Sequence, residues 1–187
     1  MNRRVVLAGI SLIALAAGTA CSGRADASAA RVSPDRGRYL VSIMGCNDCH
    51  TPLKMGANGP EPDMSRALTG HPESVKLTDA PQLSGTWMSA GAATNTAFFG
   101  PWGVSYAANL TPDQNTGLGI WTEDMFVRAI RTGRHMGVSR PINPPMPWPF
   151  FRNASDDDLK SIFAYLRTLA PVTNHVPDYQ PPQVAQR

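Results

Sequence analysis

The pentapeptide Cys46-Asn47-Asp48-Cys49-His50 constrains this chain more than any other feature. A C-x-x-C-H run is the attachment pattern of c-type haem. Two thiols three residues apart can each form a thioether with one haem vinyl group, and the adjacent imidazole then falls on the iron. Three other uses of such cysteines have weaker support. A zinc site calls for two further Cys or His at close spacing, and none follow. A reactive dithiol calls for a βαβ setting, which the surrounding sequence lacks. A structural disulfide has no need of His50. The pattern occurs once, which predicts one covalent haem c on Cys46 and Cys49, with His50 as the proximal iron ligand.

The third cysteine belongs to a different argument. Residues 1–20 read as an export signal, with Arg3 and Arg4 ahead of a 14-residue apolar stretch at 5–18. That stretch is short for a membrane span. Two endings compete. Gly18-Thr19-Ala20 before Cys21 resembles a lipoprotein cleavage site, with Cys21 acylated as the new N-terminus, although Gly18 stands where Leu is usual. The alternative is ordinary cleavage after Ala27-Ser28-Ala29. Residues 22–33 are small and polar, as a flexible tether would be. The expected location is the periplasmic side of a bacterial membrane, lipid-anchored through Cys21, or otherwise soluble in the periplasm. The formal charge of +3 falls to +1 once Arg3 and Arg4 are removed, and there is no Lys/Arg block. Nucleic acid is therefore excluded as a partner class.

Helical periods appear in three places. Residues 34–45 predict a helix that delivers the cysteine pair, with Asp35 near its start and Leu40, Ile43 and Met44 on its apolar face. Thr122 caps a second helix running to Thr132, where Glu123 and Asp124 favour the positive end and Gly133 stops it. Ser155 caps the third; Leu159, Ile162, Phe163, Leu166 and Leu169 recur at helical spacing, and Ala170-Pro171 ends it. The 51–108 region shows no clean period. Pro 17 and Gly 16 of 187 residues, about 18% against a usual ~12%, favour loops. The expectation there is an ordered loop around the cofactor, with helical turns near 64–68 and 81–83. Trp87, Phe98, Phe99 and Trp102 would give apolar cover. The implied class is all-α: three main helices around one covalent haem, with long ordered loops. The domain limits expected are 1–20 for the signal, 21–33 for the tether, 34–177 for the haem domain and 178–187 for a disordered tail.

One iron position remains after His50. Met55 stands too near the pentapeptide to cross to the other face, Met125 falls within a helical period and reads as core, and His71 and His175 read as surface residues. Met146 differs, because Pro144-Pro145-Met146-Pro147-Trp148-Pro149 is a stiff loop that lowers the ordering cost of ligation. Met146 is therefore the expected distal ligand, with Met136 as runner-up and His135 behind it. The alternative is that Met146 only fills a gap in a proline-rich corner.

These features together resemble a class I-type c cytochrome, and more closely the haem units of the cytochrome c subunits of membrane-bound alcohol and aldehyde dehydrogenases. The resemblance is carried by Arg38-Tyr39-Leu40, by the pentapeptide with Thr51-Pro52, and by Asn109-Leu110-Thr111-Pro112-Asp113 with Gly119-Ile120-Trp121. Met146-Pro147-Trp148 and the run from Ser155 through Leu166 complete it, so that residues 34–177 are covered. It implies a cytochrome c-like fold, Met146 as distal ligand, and a crossing of the first and last helices near Gly37 and Tyr165. Those subunits usually carry three haems and a C-terminal membrane anchor; the single attachment motif leads to the expectation of one haem, and no such anchor is expected.

The leading functional expectation is one-electron transfer through a His/Met-ligated haem, with no catalysis by the chain itself. Donor and acceptor would be redox proteins, a dehydrogenase complex among them. The competing expectation is a haem enzyme or gas sensor with a labile or vacant sixth position. A third, an assembly module docking through 51–108, differs from the first only in how permanent the partner is.

Overall fold

The computed structural model describes residues 32–79 and 81–182. The segments expected as export signal and tether, with Cys21, lie outside the described residues apart from residues 32 and 33.

Helix α1 is Pro34–Ile43. Ser33 caps it by accepting from the Arg36 amide, Pro34 opens it without wasting a donor, and Asp35 sits in the first turn. The helix stops short of the expected Gly45. That residue takes φ 69°, a left-handed turn that starts a separate short helix α2, Cys46–His50. Helix α3, Glu123–Thr132, has the expected Thr122 cap and ends at Gly133 with φ 66°. Helix α4 is the short turn Trp148–Phe151. Helix α5, Asp156–Leu166, is capped by Ser155 and ends before Leu169, which packs against the core from beyond the helix.

Helices α1 and α5 cross in contact, as the resemblance implied. Gly37 makes the crossing possible: a Cβ there would stand 1.9 Å from the Ser161 carbonyl oxygen and 2.7 Å from the Tyr165 Cβ. Leu40 and Val41 of α1 join Leu159, Ile162, Phe163 and Leu166 of α5 in one core, which Phe126 and Ile130 of α3 complete. The Phe126 and Phe163 rings meet at 5.4 Å. Arg36 and Asp158 bridge α1 to α5 at 2.8 Å, but the pair is solvated and adds little.

The all-α expectation is overturned. Two antiparallel sheets lie between α2 and α3. Strands β1 (Leu53–Gly56) and β2 (Gly59–Pro62) form a hairpin closed by the pair Gly56 and Gly59. Strands β3 (Ala90–Gly91), β4 (Ala97–Gly100) and β5 (Gly103–Tyr106) form the second sheet, in that order. The physical reason is length. Four-residue strands are too short to show a period, and only their turns mark them: Asn58-Gly59 in one hairpin, Gly100-Pro101-Trp102-Gly103 in the other. The turn expected near 64–68 is present as Met64–Arg66, whereas 81–83 adopt no regular structure.

The last described segment is also ordered. Asn174 donates to the carbonyls of Thr69 and His71 at 2.8 and 2.9 Å, and accepts from the Glu73 amide at 2.9 Å. Beyond it, Gln180 pairs with Val104 along the edge of β5, and the Tyr179 hydroxyl donates to the Trp102 carbonyl at 2.5 Å. These two residues of the expected tail are thus held as a strap against the second sheet. Among the described residues, no helix is long and apolar enough to cross a membrane.

Candidate haem site

A cavity of about 600 Å³ lies between α2, the α3–α5 layer, β5 and the proline loop. That size is in the usual range for sites that enclose a small molecule or cofactor. Cys46, Cys49 and His50 line it from one element, and Met146 lines it from the loop. Leu118, Phe126, Ile130, Leu159, Ile162 and Leu166 supply apolar wall.

His50 is the most constrained of these side chains. It is buried, and its Nδ1 stands 2.7 Å from the Ala108 carbonyl oxygen. A carbonyl only accepts, so Nδ1 carries the proton and the lone pair is on Nε2. Burial pushes the His50 pKa down, which keeps the ring neutral. A neutral imidazole with one nitrogen tied to backbone and the other free is the usual state of a metal-ligating histidine. The chain around it is equally fixed. The Gly70 amide donates to the His50 carbonyl at 2.8 Å, and the Thr51 hydroxyl donates to Asn47 Oδ1 while accepting from the Leu68 amide, both at 2.9 Å.

Both cysteines are free thiols. Burial pushes Cys46 up to about 11 and also raises Cys49, with Asp48 adding to each. Thiols held protonated at neutral pH are poor redox nucleophiles, which counts against a reactive dithiol. Two thiols, a neutral imidazole and a thioether on one apolar cavity form the donor set of haem c: vinyl anchors, a proximal nitrogen and a soft distal sulfur. The residues present fit that group.

The other candidates separate clearly. Met136 does not line the cavity; it sits at φ 55° in the turn His135–Gly137. Met55, Met64 and Met88 are largely exposed, and Met125 is not part of the core. Met44, just before the cysteines, does line the cavity, as do His135 and His175. His135 packs edge-on against Trp121 at 5.0 Å, and burial followed by the Arg140 charge pushes its pKa down. His71 is not a surface residue. It is fully buried, with Nδ1 at 2.9 Å from Thr96 Oγ1 and Nε2 at 3.0 Å from the Val75 carbonyl oxygen. Of the aromatics expected as cover, Phe98 lines the cavity, Phe99 and Trp102 do not, and Trp87 is exposed.

Three contributions lie outside what the motifs indicate. One is the Ala108 carbonyl that orients His50. Another is Ser105 of β5, whose hydroxyl donates to the Pro144 carbonyl at 2.5 Å and so ties the sheet to the Met146 loop. The third is the strap, where His175, Val176, Pro177, Asp178 and Tyr179 close one side of the cavity. A carbonyl and a lone serine carry no sequence signal; the strap lies beyond the last periodic segment.

No family model matches the sequence. Relatives exist at modest identity, and cytochrome c subunits of dehydrogenases are among them. The chain is 29% identical over 175 residues to the cytochrome c subunit of the quinone alcohol dehydrogenase of Gluconobacter oxydans, which covers 91% of this chain and 28% of that protein. It is 29% identical over 157 residues to the fructose dehydrogenase cytochrome subunit of Gluconobacter japonicus, covering 83% and 25%. A shorter stretch of 73 residues, 38% of this chain, is 38% identical to 16% of the gluconate 2-dehydrogenase cytochrome c subunit of Pantoea cypripedii. The chain thus spans less than a third of each of these relatives. They bear out the resemblance read from the motifs, and with it haem c as the cofactor class.

Proposed function

We propose that the chain is a monohaem c-type cytochrome that carries single electrons outside the cytoplasm. Cys46 and Cys49 hold the haem covalently, His50 is the proximal iron ligand and Met146 the distal one. The observation that carries this reading is the His50 ring, aimed by the Ala108 carbonyl at 2.7 Å beside a cavity shared with both cysteines and Met146.

When bound, the haem supplies a one-electron iron couple. The chain's residues do the rest. His50 stays neutral and offers Nε2. Met146, half-buried against the core, offers a thioether that releases no proton and favours a raised potential. The Leu, Ile and Phe walls exclude water, so little solvent reorganises when the charge changes. With His50 and Met146 both holding the iron, no position would remain for a substrate, which is the property of a carrier. The cytochrome subunits among the relatives support a dehydrogenase as electron donor, with a second redox protein as acceptor. Acylation of Cys21 would keep the domain at the periplasmic face of a membrane.

The competing reading, a labile sixth position for a gas or substrate, draws on His135 and His175, which line the same cavity. Spectra of the purified holoprotein decide between them. A sulfur-to-iron charge-transfer band in the ferric state, and ferrous protein inert to CO, are expected. Rapid CO binding at neutral pH would refute His/Met ligation. Met146→Ala is expected to abolish the sulfur band; survival of the band would transfer the role to another methionine. Mass spectrometry of the mature N-terminus tests Cys21: an unmodified start beyond residue 21 refutes the lipid anchor.

A further inference from the structure

We propose that Asn174 is a positioning residue for the His50 ligand, because its side chain locks the segment that joins the His50 backbone to the Ala108 acceptor. The proposal rests on reading the cavity as a haem site.

His50 has two supports. The Gly70 amide donates to its carbonyl at 2.8 Å, and its ring Nδ1 donates to the Ala108 carbonyl at 2.7 Å. Both supports meet in one short segment. The His71 amide donates to the Ala107 carbonyl at 2.9 Å, and the Leu110 amide donates to the Leu68 carbonyl at 2.9 Å. Residues 68–71 therefore lie between the His50 backbone and the stretch 107–110 that aims its ring. The packing there leaves no slack. A Cβ on Gly70 would stand 2.4 Å from the Ala107 carbonyl oxygen and 2.6 Å from the Ala108 carbonyl carbon. Leu68 sits at φ 61°, a conformation that persists only where its surroundings fix it.

Asn174 fixes this segment from the far side of the chain. It is buried, and its Nδ2 donates to the Thr69 and His71 carbonyls at 2.8 and 2.9 Å, one on each side of Gly70. Its Oδ1 accepts from the Glu73 amide at 2.9 Å. The residue is itself anchored. Its amide donates to Thr116 Oγ1 at 3.0 Å, and the Val172 amide donates to Thr111 Oγ1 at 3.1 Å. The Val172 carbonyl accepts from Asn109 Nδ2 at 2.8 Å. One side chain thus ties the segment behind His50 to the residues that follow Ala108.

An imidazole whose Nδ1–H is held by a well-placed acceptor is the more basic ligand at Nε2, and so favours the ferric state. Without Asn174, two buried carbonyls and one amide lose their partners. The segment shifts to regain them and carries Gly70 and the Ala107–Ala108 backbone with it. The Nδ1–H···O bond lengthens, His50 becomes the poorer donor, and the reduced state gains.

The test uses the full-length holoprotein. Asn174→Ala is expected to raise the midpoint potential, moving the oxidised-to-reduced ratio at a fixed poise several-fold toward reduced. The paramagnetically shifted His50 ring protons of the ferric state are expected to move, and Gly70 amide exchange to quicken about tenfold. Asn174→Asp has the same size but, ionised, lacks both donors. It is expected to shift all three readouts in the same direction, and it decides the matter should the alanine variant not fold. Thr173→Val removes the hydrogen bond from the neighbouring residue to Asp113 and is expected to leave all three near wild type. Lower stability with the potential and His50 signals unchanged, or an equal shift in Thr173→Val, would overturn the proposal. If the wild type carries no covalent haem, the haem reading itself fails. Covalent haem with an intact axial spectrum and no response to either Asn174 variant would sink the Asn174 assignment alone.

Discussion

Replacing Gly37 with alanine sets two well-known effects against each other. In an open helix the change is favourable, since alanine outranks glycine by about 1 kcal/mol in helix propensity. Gly37 is not in the open. Its added Cβ would stand 1.9 Å from the Ser161 carbonyl oxygen and 2.5 Å from the carbonyl carbon, where ordinary contact is about 3.5 Å. The obstruction is helical backbone, so no rotamer change relieves it. The α1–α5 crossing must open by roughly 1.5 Å along that line to restore ordinary contact. Opening it loosens Leu40 and Val41 from Leu159, Ile162 and Leu166, all of which are buried. Overpacking of this kind costs about 1–3 kcal/mol, and rigid backbone places it at the upper end. Net of propensity, a loss of about 2 kcal/mol is expected, equivalent to a fall in Tm of about 4–8 °C for a domain of this size. Chemical denaturation of the holoprotein measures it, as a lower midpoint with unchanged slope. Ser42→Ala, on the exposed face of α1, is the control and is expected to be neutral or slightly stabilising. A Gly37→Ala protein as stable as wild type would refute the view that the crossing needs glycine.

Further expectations follow from contacts elsewhere. Gly133→Ala introduces a Cβ 2.3 Å from the Trp148 ring at φ 66°, so Trp148 must move. A loss of about 2 kcal/mol, with altered tryptophan fluorescence, is expected. Thr96→Val leaves buried His71 Nδ1 without its 2.9 Å partner and is expected to cost about 1–3 kcal/mol in thermal unfolding. The hydrogen bond from the Thr116 hydroxyl, then the one from the Thr116 amide, holds the Asp113 carboxyl below its usual value. A depressed pKa gives stability that is fully present above the unfolded value of about 3.9 and lost as pH falls through the folded one. Thermal unfolding scanned downward from pH 5 is expected to fall less steeply in Asp113→Asn than in wild type; equal slopes would refute the assignment.

How much of the molecule is legible in its sequence depends on how local each determinant is. Helix α3 is legible from cap to stop because Thr122, the Phe126 and Ile130 spacing, and Gly133 lie within one short segment. Helix α5 is legible for the same reason. The cysteine pair and His50 are legible because the spacing that sets all three on one cavity wall is written into five consecutive residues. The sheets are not, since their strands are four residues or fewer and their stability comes from pairing. His71 reads wrongly as a surface residue because its burial depends on Thr96, Tyr106 and Asn174, all distant in sequence. The Met146 loop is recognisable from its prolines, but what holds it comes from β5.

That last dependence can be tested directly. The Ser105 hydroxyl tethers the second sheet to the proline loop, donating to the Pro144 carbonyl at 2.5 Å while accepting from the Trp102 indole at 3.2 Å. If proline stiffness alone positions Met146, Ser105→Ala alters stability and nothing else. If the tether matters, the loop gains freedom and the thioether proposed as distal ligand, two residues from Pro144, would leave the iron more often. The variant is then expected to keep a sulfur-to-iron band and to bind CO several-fold faster than wild type, because CO enters whenever the sulfur is away. Loss of the two hydrogen bonds is expected to cost about 1–3 kcal/mol in either case. The CO rate therefore separates the two accounts, and a rate equal to wild type would assign the positioning of Met146 to the prolines.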